Sequence, residues 1–164
     1  CQKCLHHLMS IESTLHQTKI RHLDLNNILT VDSTYSLGET IKTMQSQRSG
    51  CILITGGSDL LGIFTERDLL QKVAGKDEEF LNQPIQKFMT IKPTVLSPDN
   101  SLLDAITLMY KGGYRHIPLI DSEKKLHYCL SVTNIIDYLS EQYPQELLSL
   151  PPRPEQNFTE PDGA

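Results

Sequence analysis

Gly62-Ile63-Phe64-Thr65-Glu66-Arg67-Asp68-Leu69-Leu70 changes its hydrophobic period midway. Up to Thr65 it follows the apolar run Cys51-Ile52-Leu53-Ile54-Thr55 and the turn residues Gly56-Gly57-Ser58-Asp59, and reads as the second strand of a hairpin. From Asp68 onward, Leu69, Leu70 and Val73 read as a helix with acid at its start. A hydroxyl, a guanidinium and a carboxylate therefore cluster where a strand hands over to a helix. Free backbone N–H groups and the positive end of the helix dipole favour an anion such as phosphate at that place. Asp68, three residues after Thr65, is also spaced to accept hydrogen bonds from a ribose diol. The same residues read as an N-cap, with Thr65 capping and Asp68 stabilising the first turn.

Working outward, the stretch has a counterpart. Leu29-Thr30-Val31-Asp32-Ser33-Thr34-Tyr35-Ser36-Leu37 matches Thr94-Val95-Leu96-Ser97-Pro98-Asp99-Asn100-Ser101-Leu102, each a strand, a polar turn and a helix start. Ile41 and Met44 recur as Ile106 and Met109, and the strand Cys51–Ile54 recurs as His116–Leu119, all 65 residues on. Thr65–Leu70 recurs as Ser131–Ile136 with the offset at 66, so one extra residue falls in the second hairpin, Asp121–Lys125. Each repeat reads β-α-β-β-α. A unit of about sixty residues forms only a marginal core alone, so two copies are expected to bury their sheets against each other. The predicted fold is α+β, two pseudo-twofold-related repeats packed through their sheets. The expected divisions are 1–22 (a C-x-x-C segment and helix), 23–80 (repeat 1), 81–143 (repeat 2) and 144–164 (a mobile, proline-containing tail). An apolar stripe of Leu5, Leu8, Met9, Ile11 and Leu15 predicts a helix over 5–18, whereas 19–27 shows no strong periodicity.

On these residues the chain resembles tandem CBS-domain proteins, or Bateman modules. Gly62–Asp68 fits that family's G-h-x-S/T-x-x-D signature, and Arg115–Asp121 with Ser131–Asn134 supports it in the second copy. The resemblance covers about residues 24–142. It implies a regulatory, non-catalytic module holding an adenosyl ligand (AMP, ADP, ATP or S-adenosylmethionine) in clefts between the repeats, with no cofactor required. Carried over by position, one cleft is expected from Thr65, Arg67 and Asp68 with Pro93 and Thr94. The mirror cleft is expected from Arg115, His116, Ser131, Thr133 and Asn134 with Ile28 and Leu29. Here Tyr128 stands at the signature glycine and Asn134 at the aspartate. A phenol in space that backbone leaves for ligand, and an amide lacking a carboxylate's charge-assisted bonds, predict one competent cleft around Asp68 and one weak cleft. The resemblance further implies a homodimer, supported by the leucine- and isoleucine-rich helices 68–74 and 134–141. The alternative is a nucleotide-independent dimerisation scaffold.

Composition narrows the partners. The 164 residues carry a formal charge of −5, with 38% hydrophobic residues and no Trp. There is no global basic field, so nucleic-acid binding by this segment is not expected. No apolar run reaches membrane-spanning length, and no Walker loop, G-x-S-x-G or H-E-x-x-H suggests catalysis. A reduced, cytoplasmic setting fits Cys51 and Cys129, which sit in apolar strand-like runs as small hydrophobes. Cys1 and Cys4 form half a zinc knuckle, and Zn²⁺ would need two further ligands. The layout is similar to bacterial CBS pairs with an N-terminal zinc ribbon, and a ribbon cut just before its second C-x-x-C is the expectation, with spare thiols as the alternative.

Overall fold

Polar caps decide where the helices begin. The structure, a computed structural model, describes residues 11–25 and 28–144. The first repeat runs β1 (Thr30–Asp32), α1 (Leu37–Ser46), β2 (Cys51–Gly56), β3 (Asp59–Thr65) and a short α2 (Glu66–Asp68), then β4 (Thr90–Ile91). The second runs α3 (Leu102–Gly112), β5 (His116–Ile120), β6 (Leu126–Ser131) and α4 (Val132–Gln142). Each of these four α-helices starts at a reciprocal capping box: Ser36 with Glu39, Thr65 with Asp68, Ser101 with Asp104 and Ser131 with Asn134. In each, the hydroxyl accepts from the third helical N–H and the acid or amide accepts from the cap N–H, satisfying two otherwise unpaired donors.

The repeats share a register. β2 pairs with β3 from Cys51↔Thr65 to Ile54↔Gly62, then shifts to Thr55↔Leu60. β5 pairs with β6 from His116↔Ser131 to Leu119↔Tyr128, then shifts to Ile120↔Leu126. The irregularity recurs at the same step, and the extra residue lies in the second hairpin, as its sequence offset requires. β1 runs parallel to β2, and the match to β1 in the second repeat is a single parallel bridge, Leu96 to Leu119. β4 extends the first sheet by pairing antiparallel with β3.

The helix expected over 68–74 differs. After Asp68 the chain widens into a π-helical turn, Leu69–Val73, closed by Ala74 N–H to the Leu69 carbonyl at 3.1 Å. Gly75, at φ +78°, then turns the chain away. Residues 11–17 are helical and the helix ends before Thr18, while residues 5–10 of the predicted 5–18 helix and the tail beyond 144 lie outside the described residues.

Burial is arranged in three clusters. Along β2, Ile52 and Ile54 face a first-repeat core with Val31, Leu37, Met44 and Phe64. Cys51 and Leu53, on the other face, join Ile63 in a cluster against which Ile28, Leu126 and Cys129 pack. The unbroken apolar run 51–54 is thus a strand buried on both faces, and its second face is where the repeats meet.

The unperiodic stretch 19–25 has a definite role. Ile20 and Leu23 are buried in the core of the second repeat, beside Leu102, Ala105 and Met109. Their counterparts 65 residues on, Ile85 and Phe88, are buried in the core of the first. Leu102 N–H donates to the Thr18 carbonyl and Leu37 N–H to the Gln83 carbonyl, both at 2.8 Å. Each repeat's lead-in therefore packs on the other repeat's sheet and helix.

Candidate ligand-binding site

Thr65 and Asp68 sit where β3 gives way to α2, and Asp68 is 8% exposed. Its Oδ2 accepts from Thr65 N–H at 3.0 Å and Thr65 Oγ1–H at 2.8 Å. Its Oδ1 accepts from Thr90 Oγ1–H at 3.2 Å and lies 2.6 Å from Lys72 Nζ. Lys72 also donates to the Phe88 carbonyl at 2.7 Å. A carboxylate offers about four lone-pair sites, and these four contacts occupy them. Burial raises the Asp68 pKa, but the hydrogen bonds from Lys72 and Thr65 and the Lys72 charge outweigh it and hold the acid below its ordinary value.

The second repeat solves the same problem with neutral groups. Asn134, 7% exposed, accepts through Oδ1 from Ser131 N–H at 2.9 Å and Ser131 Oγ–H at 2.7 Å. Its amide donates to the Asp24 carbonyl at 3.5 Å. Tyr138, in the place of Lys72, shares a 3.2 Å hydrogen bond with Thr18 instead. Asp with Lys and Asn with Tyr are thus two ways to fasten a helix start to the lead-in beside it.

Gly62 leaves no space for a ligand, contrary to what the signature implies. A Cβ there would lie 2.5 Å from Met89 Sδ and 2.8 Å from the Thr90 carbonyl oxygen. The space over Gly62 is filled by the chain entering β4 and is not left for a ligand. Tyr128, at the matching place, is 40% exposed, with its ring 6.3 Å from that of His127. The difference between glycine and tyrosine follows how closely backbone passes over the strand.

Arg67, exposed, reaches from α2 across to the second repeat, where its Nη1 donates to the Gly113 carbonyl at 3.1 Å. Gly113 ends α3 in the left-handed conformation, φ +65°. The next residue, Tyr114, accepts from Thr94 Oγ1–H at 3.2 Å. A Cβ on Gly112 would fall 2.0 Å from the Tyr114 ring, so this glycine clears the ring's position. Thr65 and Asp68 are thus joined by their cap, Arg67 is bonded to Gly113, and Thr94 is bonded to Tyr114, the residue after Gly113. Pro93 adjoins Thr94 and is half-buried.

In the mirror set, Ser131 and Asn134 are joined by the cap, and Ser131 is paired with His116 across the hairpin. His116 is half-buried at the edge of the first repeat, its Cε1 3.4 Å from a Cβ built on Gly50. Arg115 and Thr133 are exposed. Leu29 instead packs on the first-repeat core, its carbonyl accepting from Leu53 N–H at 3.0 Å, and Ile28 packs on the cluster between the sheets. Sequence reasoning missed Lys72, Thr90 and Tyr114. The spacing of Lys72 four residues after Asp68 was a legible signal, since such residues meet on one helix face.

An open groove of about 290 Å³ lies between α1 and the start of α2, lined by Ile41, Met44, Gln45, Arg48, Ser49, Glu66 and Leu69. None of the predicted binding residues lines it. Among the described residues no cluster of three or more His, Cys, Asp or Glu is placed to hold a metal, and no helix is long and apolar enough to cross a membrane. Cys1 and Cys4 lie outside the described residues.

Capped strand-to-helix junctions, duplicated with a shared hairpin register, define a paired-repeat fold. The CBS domain matches this chain twice, at residues 20–75 and 85–141, and the chain belongs to the CBS-domain family. A 17.7 kDa protein in the bps2 3' region of Acidianus ambivalens is 26% identical over 119 residues, covering 72% of this chain and 71% of its own. The CBS domain-containing protein CBSCBSPB5 of Arabidopsis thaliana is 32% identical over 104 residues, 63% of this chain but 19% of that protein's length. Among solved structures, a CBS domain protein of Pyrobaculum aerophilum complexed with AMP superposes with a TM-score of 0.66 at 18% identity, covering 76% of this chain and 99% of the other.

Proposed function

We propose that this CBS pair is a cytoplasmic regulatory module, not a catalyst, which binds an adenosyl ligand of the AMP, ADP, ATP or S-adenosylmethionine class between its repeats. The observation that carries the reading is the bridge from Arg67 to Gly113, beside Tyr114 and Thr94. In this reading Arg67 supplies a guanidinium for phosphate, Tyr114 a ring face for a purine, and Thr65 and Thr94 hydroxyls for sugar or phosphate. The AMP complex of the Pyrobaculum protein supports the ligand class. A ribose diol reaches Asp68 by displacing Thr90, the longest of its contacts at 3.2 Å. The mirror cleft, built from Arg115, His116, Ser131, Thr133 and Asn134 with Ile28 and Leu29, offers an amide in place of the carboxylate and is the weaker one. Ligand held by both repeats biases their relative arrangement, and by no more than its difference in affinity for the alternatives.

The module acts as a homodimer in this reading. Leu70 and Ile136 hold the same place in the two repeats and are 71% and 53% exposed on the helical side. The dimerisation scaffold that needs no nucleotide has its own supporting observation, the four contacts that already engage Asp68.

Isothermal titration of the full chain with AMP and with ATP separates these readings. The expected result is one tight site per chain, a rise in melting temperature with ligand, and at least tenfold weaker binding in Arg67→Ala at an unchanged apo melting temperature. Absence of both heat and thermal shift favours the scaffold. Two equal sites per chain overturn the asymmetry.

A further inference from the structure

Two thiols from different repeats face each other in the seam between the sheets. Cys51 opens β2, Cys129 lies near the end of β6, and their sulfurs are 3.6 Å apart although 78 positions separate them in the chain. Both are free thiols, Cys51 buried and Cys129 half-buried. The seam around them is apolar, with Leu53 and Ile63 on one side and Leu126 on the other. Two groups break that apolar setting at the Cys51 end. Ser49 Oγ lies 3.4 Å from Cys51 N and donates to the Cys51 carbonyl at 2.6 Å. His116, which holds in the second repeat the place Cys51 holds in the first, lies beside Gly50, the residue before Cys51, its Cε1 3.4 Å from a Cβ built there, and helps draw the Cys51 thiol down. The pair is therefore differentiated: one sulfur beside an imidazole and a hydroxyl, the other among hydrocarbon.

We infer that Cys51 and Cys129 form a peroxide-responsive dithiol site whose oxidation to a disulfide ties the two repeats together across their sheets. The differentiation assigns the roles. The hydrogen bond from Cys129, with help from the neighbouring His116 and Ser49, draws the Cys51 thiol down against burial, while the same bond and burial push Cys129, which has no polar neighbour beyond Cys51 among the described residues, up. Cys51 is thus the attacking thiolate and Cys129 the resolving thiol. In the first step the Cys51 sulfur attacks the distal oxygen of a hydroperoxide. The O–O bond breaks, the leaving alkoxide or hydroxide takes a proton, and Cys51 becomes a sulfenic acid. In the second, Cys129 loses its proton and attacks the Cys51 sulfur, expelling the hydroxyl as water. Two thiols and one hydroperoxide give one disulfide, one alcohol (or water) and one water. The sulfurs must close from 3.6 Å to a bonding distance of about 2.05 Å, a movement within reach of side-chain rotation and a small shift of the seam.

The test uses the full chain carrying Cys1→Ser and Cys4→Ser, so that the terminal C-x-x-C does not consume oxidant, treated with equimolar hydrogen peroxide. The expected result is a mass loss of about 2 Da and a non-reducing peptide map linking the peptides of Cys51 and Cys129. The melting temperature rises and returns to its starting value on reduction with dithiothreitol, because a crosslink between distant positions restricts the unfolded chain. Adding Cys129→Ser removes the link and leaves a sulfenic acid on Cys51 that dimedone captures; adding Cys51→Ser leaves Cys129 unreacted. Recovery of both thiols unchanged, or their conversion to sulfinic and sulfonic acids without a link, overturns the proposal. So does dimedone capture at Cys129 in preference to Cys51.

Discussion

Lys72 lies one helical turn beyond Asp68, its Nζ 2.6 Å from the buried carboxylate and 2.7 Å from the Phe88 carbonyl. One ammonium thus ties the start of α2 to the lead-in of the next repeat, and the acid at the signature position is a structural fastener before any ligand arrives. Lys72→Met is expected to destabilise the protein by about 1–2 kcal/mol, since it leaves a largely buried carboxylate with less compensation. A double-mutant cycle with Asp68→Asn, followed by urea unfolding, checks this. Coupling of about 1 kcal/mol supports the pair, and strict additivity of the two changes removes it.

The same bonds set the acid limb of stability. The folded-state pKa of Asp68 lies below the ordinary 3.8, so its contribution is complete above that value and is lost as pH falls through the folded-state value. Asp104, held down chiefly by the Ser101 N–H, acts in the same direction. Melting temperature is expected to be level down to roughly pH 5 and to fall below about pH 4. In Asp68→Asn the fall is shallower, and a melting series in citrate and acetate reads the difference.

At the end of α1, Arg48 adopts φ +50°, the conformation that Gly113, 65 residues on, adopts at the end of α3 with φ +65°. A side chain pays for that backbone state and glycine does not. Arg48→Gly is expected to stabilise the protein by about 0.5–1 kcal/mol, a rise of roughly 2–4 °C in Tm. A fall in Tm would mean that Arg48 earns its place through its side chain in the groove beside Glu66.

Gly62→Ala tests the close passage of β4. With Met89 Sδ 2.5 Å and the Thr90 carbonyl 2.8 Å from the added carbon, the methionine can rotate aside but the backbone cannot. A loss of about 1–3 kcal/mol is expected. Tyr128→Ala, at the matching place on an exposed side chain, is expected to change stability by less than about 0.5 kcal/mol.

Leu70→Glu together with Ile136→Glu places charge on the two matched exposed positions. In light scattering the pair is expected to convert a dimer to a monomer, with a change in Tm of no more than a few degrees because neither side chain is in the core. A dimer that survives both changes places self-association elsewhere.

The duplication was legible because β-hairpins and capped helices repeat whole patterns of residue types, and the 65–66 residue offset carried even the strand irregularity. The unlike pair Asp68 and Asn134 was also legible as a difference between the halves, but its cause was not. The partners that explain it, Phe88, Thr90 and Asp24, come from lead-ins far away in sequence. Ile20 and Leu23 escaped for a similar reason. Two apolar residues in one turn of 3₁₀ helix set up no period, and only their echo in Ile85 and Phe88 marks them. Arg67 and Gly113 are 46 residues apart, and Gly113 takes part through its carbonyl, which no residue type announces.

The exchanged lead-ins make the two halves of the chain mutually dependent. Ile85 and Phe88 belong by sequence to the second half yet complete the first core, while Ile20 and Leu23 do the reverse. A cut near residue 76 would leave each fragment with a sheet lacking part of its own interior and an apolar turn with nothing to cover. The two fragments are therefore expected to be poorly folded apart and to complement each other when mixed. For the intact protein, closing both cores requires contacts spanning half its length, which favours a single cooperative transition and slower folding than a helical bundle of equal size.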